Sequence, residues 1–242
     1  MEASFGTDIY TLIERLDHPD PIVRTDTVVL LQDLADLRSM GALIRLLDDP
    51  SSRVRAASAA ALGSLGAEPA TDTLIDHAMD EDLHVRRAVL LALKLLVKQP
   101  RHTDVFLDAL HDSDRGIQLL AVQALSTLKD RRATIPLIEL IQQVDGAIWR
   151  NAVSGLGYLK DQRALEPLVN LLKTLGKEAN RRTVIAALGQ LGDPRALTTI
   201  TREIYSGSPS VRVQSILALG ATREPITYEL LRDLAHDPVP DI

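Results

Sequence analysis

The sequence predicts an all-α fold, a right-handed α-solenoid of helical hairpins, on three observations. One stretch, "VRAASAAALGSLG" at residues 54–66, is written seven times along the chain of 242 residues. Its anchor leucines, Leu31, Leu62, Leu93, Leu125, Leu156, Leu188 and Leu219, follow one another at 31, 31, 32, 31, 32 and 31 residues. No segment shows the two-residue alternation of a half-buried strand. A period of this size marks supersecondary units that bury their apolar faces on one another.

Each copy opens with a long amphipathic helix. Apolar or small residues fall at its first, fifth, eighth, ninth and twelfth positions, as in Val54, Ser58, Ala61, Leu62 and Leu65. That spacing lines one face at 3.6 residues per turn. A second amphipathic pattern such as "RALEPLVNLLKTL" (163–175) completes the hairpin. Asp36, Asp130, Asp161 and Asp193 stand before these second runs, where an N-cap accepts orphan backbone N–H groups. "DHPDP" (17–21) and "DDPSS" (48–52) turn the chain into the next long helix. Seven repeats of about 31 residues result, followed by a half repeat at 226–242, all read as a single domain over 1–242. The half repeat leaves an apolar face uncovered. It is expected to dock on something, or to continue the solenoid beyond Ile242.

Composition narrows the function. Aromatic residues are only 3% of the chain, few for base stacking, and there is no cysteine for disulfides, thiolate metal sites or a Cys nucleophile. "MEASFGTDIY" lacks the basic and apolar regions of a signal peptide, and no apolar run approaches the ~20 residues of a membrane span. A soluble cytoplasmic protein without membrane contact is expected. The formal charge is −6, so phosphate contacts are disfavoured and no nucleic-acid partner is expected. Residues 1–121 hold 12 Lys and Arg against 20 Asp and Glu, whereas 122–242 hold 15 against 13, so the ends differ in charge. No Gly-rich phosphate loop, G-x-S-x-G or H-E-x-x-H occurs, and His84 and His111 lack partners at metal-ligand spacing. No catalytic residue, cofactor or metal is expected.

A turn Asp, then Val-Arg opening a helix, then Ala-Leu-Gly and a leucine stand at "DPSSRVRAASAAALGSLG" (49–66) and, degraded, at "DRGIQLLAVQALSTL" (114–128). With these residues the chain resembles the bacterial HEAT-like repeats found in phycobilisome lyase subunits, from about residue 8 to the end. The resemblance implies protein–protein docking. In the lyase branch it implies handling of a bilin pigment on a phycobiliprotein, and a third option is an assembly chaperone for one client. Two other HEAT-type families fail on residues. Deoxyhypusine hydroxylase-like repeats need His-Glu pairs, and here the six histidines precede Pro19, Ala78, Val85, Thr103, Asp112 and Asp237. Alkylpurine glycosylase-like solenoids need a basic, aromatic-rich concave face, which this chain lacks.

The residue after each Val slot reads Arg24, Arg55, Arg86, Gln118, Trp149, Arg181 and Arg212. Asp49, Asp80 and Asp112 lie five residues before a Val slot, with Asp17 one further out, and are placed to lace neighbouring repeats. Gln143, Leu175 and Ser206 replace the Asp later, so this ladder is expected to stop after repeat four.

The resemblance puts the long helices on the inner, concave surface of the solenoid. Positions two, six and nine after the Val slot are rotated away from the buried face. Counted in repeats three to six, they and their flanks give the expected partner-binding set: His84, Arg87, Leu91, Leu119, Trp149, Arg150, Ser154, Tyr158 and Arg182. Trp, Tyr and Arg are enriched at hot spots, and the cations suit a partner with acidic and apolar features. The plainer reading stands beside this one: the leucines and Trp149 pack, and Arg87, Arg150 and Arg182 are solvated charges. On the pigment reading, Arg150 and Arg182 pair propionates near Trp149 and Tyr158.

Overall fold

In a computed structural model the described residues are 8–99, 102–143, 146–222, 227–229 and 232, and every regular element among them is helical. The half repeat expected at 226–242 lies outside them apart from 227–229 and 232. The chain divides into two compact units, Met1–Leu120 and Ala121–Ile242. The boundary falls inside a helix of the repeat whose arginine slot holds Gln118.

In the first unit the short helices are α1 (Ile9–Arg15), α3 (Met40–Arg45), α5 (Thr71–Asp76) and α7 (Thr103–Ala109). They alternate with the long helices α2 (Pro21–Leu34), α4 (Ser52–Ser64) and α6 (Leu83–Leu96); α8 (Arg115–Leu128) crosses the boundary. In the second unit α9 (Thr134–Gln143), α11 (Leu165–Thr174) and α13 (Leu197–Ser206) alternate with α10 (Gly146–Leu159), α12 (Glu178–Leu191) and α14 (Pro209–Thr222). Each unit is a stack of hairpins whose long helices pack side by side: α2 on α4 on α6, and α10 on α12 on α14. The anchor leucines Leu31, Leu62, Leu93, Leu125, Leu156, Leu188 and Leu219 are fully buried, as a shared apolar face requires.

Small residues set the spacing of the long helices. A Cβ on Gly63 would meet Ala92 Cα at 2.7 Å, one on Gly157 would meet Ala187 O at 2.8 Å, and one on Gly189 would meet Ala218 Cα at 2.7 Å. In each case the glycine nine residues after the Val slot faces the alanine seven residues after the next one. Gly220 holds the same place in α14, and none of the described residues comes within 4 Å of a Cβ there.

The arginine ladder locks the first unit. Arg24 Nε and Nη2 donate to Asp49 at 2.7 and 2.8 Å, and Nη1 donates to the carbonyls of His18 and Pro19. Arg55 repeats this with Asp80 at 2.8 and 2.9 Å and the carbonyls of Asp49 and Pro50. Arg86 repeats it with Asp112 and the carbonyls of Asp80 and Glu81. Each arginine thus holds its own turn through carbonyls and the next repeat's turn through a carboxylate. Burial drives Asp80 and Asp112 up, but the guanidinium and a backbone N–H outweigh it, and both end below the ordinary carboxylate value. Asp17 enters no ion pair among the described residues.

The device changes from α8 onward. Gln118 keeps only the carbonyl contact, donating Nε2 to Asp112 O at 2.9 Å. In α10 both slots turn apolar: Trp149 is buried, and Leu175 takes the Asp place. Arg181 then restores the pair, with Nη1 on the carbonyls of Leu172 and Leu175 and Nη2 on Glu203 Oε2 at 2.5 Å. The Asp ladder ends at repeat four, and a glutamate carries the pairing at this later step. Where Asp is present, the short helix stops before it, because a carboxylate opposes the C-terminal end of the helix dipole. Where Asp is lost, α9 and α13 run on through Gln143 and Ser206, while α11 ends at Thr174, next to Leu175. Glu203, one turn before Ser206, supplies the carboxylate instead.

A second carboxylate, in Asp-x-Arg turns, starts the short helices. Asp36, Asp130, Asp161 and Asp193 accept the backbone N–H two residues on and pair with the same residue's guanidinium. Asp161 also accepts from Thr134 Oγ1 at 2.9 Å, joining successive turns. The Arg163 guanidinium, opposed by burial and helped by the Arg163 N–H and Thr134, holds the Asp161 carboxyl down at about 2.

Three outcomes follow from this packing. Gly157→Ala should lower stability by about 1–3 kcal/mol through overpacking, whereas Gly220→Ala should raise it by up to about 1 kcal/mol through helix propensity; urea unfolding measures both. Arg55→Met leaves Asp80 buried and uncompensated and should cost about 2–4 kcal/mol. Adding Asp80→Leu, which copies the Trp149/Leu175 exchange, should recover most of it. Equal losses in the single and double variants would show that the ion pair is not what is lost. Because the folded-state pKa of Asp161 is depressed, its contribution is intact above the unfolded carboxyl value and is lost as pH falls from about 4 to about 2. Thermal melts followed across that window should show a shallower decline for Asp161→Asn than for the parent.

Candidate functional site

The long helices spend one face on the stack and leave another to solvent. In the first unit the position six residues after the Val slot holds Val29, Ala60 and Leu91, all exposed, Leu91 by 44%. Leu95, one turn beyond Leu91, is 62% exposed. His84 and Arg87 are exposed on the same helix, α6, and Leu119 on α8 is half-buried. Arg87 is not a solvated lone charge: Nη2 pairs with Asp114 Oδ1 at 3.2 Å. Asp114 lies below its ordinary value, chiefly because it accepts the Ile117 N–H, with the Arg87 guanidinium adding to this against burial. The first unit therefore brings together an apolar row and one tethered cation.

In the second unit Arg150 and Arg182 are exposed at the same register of α10 and α12, neighbours whose approach Gly157 and Ala187 fix. Tyr158 is 48% exposed on α10, and Ser154 is half-buried between the Arg150 and Tyr158 positions. Arg182 lies near Glu178, which is held below its ordinary value first by the Ser208 and Ser210 hydroxyls and, after desolvation, by the Arg182 charge. Leu217 (62% exposed) and Val213 continue the two rows onto α14.

Trp149 does not join this surface. It is 6% exposed and belongs to the core of its unit, so its place among the partner-contacting residues is corrected. An arginine slot points toward the next hairpin's turn, and an apolar residue there, with leucine in place of the carboxylate, packs inward. Val29, Val213 and Leu217 were missed from sequence, although the same count from Val23 and Val211 finds them; the expected set had been drawn from repeats three to six.

Among the described residues no group of three or more His, Cys, Asp or Glu could hold a metal ion. No helix of the described residues is long and apolar enough to cross a membrane. Guanidinium, phenol and aliphatic groups on a rigid frame can take a partner's carboxylates and apolar side chains.

The family profile of HEAT repeats matches residues 9–94, 74–152 and 136–205. No curated protein matches the chain in sequence. Among solved structures it is similar to the complex of CpcE and CpcF of phycocyanin lyase from Nostoc sp. PCC7120, at 21% identity over 97% of this chain and 98% of that one, with a TM-score of 0.54. It is similar to YibA of E. coli at 19% identity, covering 89% and 92% of the two chains with a TM-score of 0.63. It also matches importin beta at 16% identity and a TM-score of 0.65, over 94% of this chain and 39% of that one. At these identities the structural likenesses show the fold alone, an α-solenoid. The profile spans most of the sequence, and with the hairpin repeats it establishes that this chain belongs to the HEAT-repeat family.

Proposed function

We propose that the protein is a non-catalytic docking scaffold whose long helices hold a protein partner with acidic and apolar features. One observation carries this reading. Val29, Leu91 and Leu217 are exposed aliphatic residues at the same register of helices that already bury their other face. Folding needs no large apolar residue at that register, because Ala60 and Ser154 fill it elsewhere. Arg150 and Arg182 beside Tyr158 add the charge and ring chemistry typical of hot spots.

A pigment-handling role would set propionates on Arg150 and Arg182 with Tyr158 against the chromophore. It draws on the lyase resemblance, and the burial of Trp149 removes the larger ring it would use. Docking a protein requires neither a deep cavity nor that ring.

The test is co-purification from the source cell with mass-spectrometric identification, followed by affinity measurement on the purified pair. Leu91→Glu/Leu95→Glu and Arg150→Glu/Arg182→Glu should each weaken the partner about tenfold or more. All four positions are exposed, so the melting temperature should hardly move. Full binding by both variants would defeat the assignment of the partner to the long helices. A shifted visible spectrum on adding bilin, abolished in the arginine variant, would move the reading to pigment handling.

A further inference from the structure

The turns that follow α8 and α10 form an electropositive edge that none of the function above uses. The residue after each of these helices takes the left-handed conformation, Lys129 at φ 55° and Lys160 at φ 50°. Two sister turns use glycine at this register, Gly66 at φ 65° and Gly192 at φ 70°. An L side chain costs roughly 1 kcal/mol or more there, and glycine costs nothing in that respect. Ala35, at φ 51° in the first repeat, shows that the turn tolerates a side chain without needing lysine. Two successive copies nevertheless carry lysine in the strained place.

The neighbouring groups leave these charges uncompensated. Turn 129–132 has three cations against one carboxylate, and turn 160–163 has two against one, a surplus of three positive charges. The carboxylates are engaged locally, Asp130 by Arg132 and Asp161 by Arg163. Neither Lys129 nor Lys160 enters an ion pair among the described residues. Hydrogen bonds hold the two turns side by side: Arg163 Nη2 donates to Arg131 O at 2.8 Å, and Arg131 Nη2 to Lys160 O at 3.4 Å. The corresponding first-unit turns "ADLR" (35–38) and "GAEP" (66–69) carry no such surplus, so the repeat itself does not require it.

We infer that this edge, centred on Lys129, Arg131 and Lys160, is a second docking site, for an acidic, extended segment of a protein. Carboxylates are the ligand these turns already select, as the Arg163–Asp161 pair at 2.5 Å shows within the chain itself. Neither turn holds an aromatic residue on which a base could stack, and the chain as a whole is acidic, so the chemistry favours a glutamate- or aspartate-rich peptide over nucleic acid.

The test uses the full chain and a fluorescein-labelled peptide of alternating glutamate and serine, with oligothymidylate of equal charge as the second probe. Anisotropy at low salt should show peptide binding that weakens as salt rises. Lys129→Gly/Arg131→Gln/Lys160→Gly should lose about tenfold or more in affinity. Its melting temperature should not fall, because both glycines suit the left-handed turn. Lys129→Arg/Lys160→Arg should bind like the parent. Undiminished binding by the triple variant would overturn the site, as would absence of peptide binding by the parent. Loss of binding in Arg150→Gln/Arg182→Gln, with the triple variant binding like the parent, would overturn the edge and move the peptide to the long helices. Tighter binding of oligothymidylate would assign the edge to nucleic acid instead.

Discussion

The first unit depends on one repeated contact, a guanidinium that reaches forward to the next repeat's aspartate while holding the carbonyls of its own turn. Arg24, Arg55 and Arg86 each commit Nε and Nη2 to a carboxylate and Nη1 to two carbonyls. A planar fork of fixed donors is satisfied in one register of the two hairpins and no other. Such a pair adds little net stability over apolar packing, since burying both charges costs nearly what their attraction returns. Its value lies in register. A stack held only by small residues and leucines could slide; one with a buried, fully bonded arginine at each step leaves an ion uncompensated if it does.

Trp149 shows what happens when that device is dropped. A buried ion pair can be exchanged for apolar groups if both partners change together. At this step both do, tryptophan for arginine and leucine for aspartate. The neighbouring step returns to charge, but with Glu203 in place of aspartate because α13 has lengthened by a turn. The contact between repeats is thus preserved as chemistry rather than as residue identity.

That distinction also explains how far the sequence could be read. The hairpins, the fully buried leucines and the Asp N-caps were legible because each rests on a local pattern: a 3.6-residue period, a fixed repeat, a carboxylate before a helix. The Arg24–Asp49 step was legible because both partners recur at constant spacing. Glu203 was not, because its role depends on where α13 ends, and helix ends follow from the residue that terminates them rather than from a period. The depth of Trp149 was ambiguous for a related reason: a ring in an arginine slot can turn outward to a ligand or inward to leucine, and only the packed neighbours decide. Of the expected surface residues, His84, Arg87, Leu91, Arg150, Tyr158 and Arg182 are exposed, since helical rotation alone fixes the side they face.

The same logic separates what the repeat needs from what it carries. Gly63, Gly157 and Gly189 are needed, because a Cβ at any of them would collide with the next helix. The aliphatic residues at the outward register are not, because alanine or serine serves there in other repeats. The left-handed lysines run against need, since glycine in two sister turns gives the same backbone more cheaply. Residues that vary among copies of one unit at no structural gain are where a repeat protein can differ in partner without changing its frame. In this chain they fall on two surfaces of different chemistry. Apolar residues with arginine and tyrosine occupy the long-helix faces, and the surplus cations Lys129, Arg131 and Lys160 occupy the edge at turns 129–132 and 160–163. Within the second unit, which holds both Leu217 on a long-helix face and the cationic edge, a partner joining an apolar patch to an acidic segment would gain affinity through effective concentration rather than through any single strong contact.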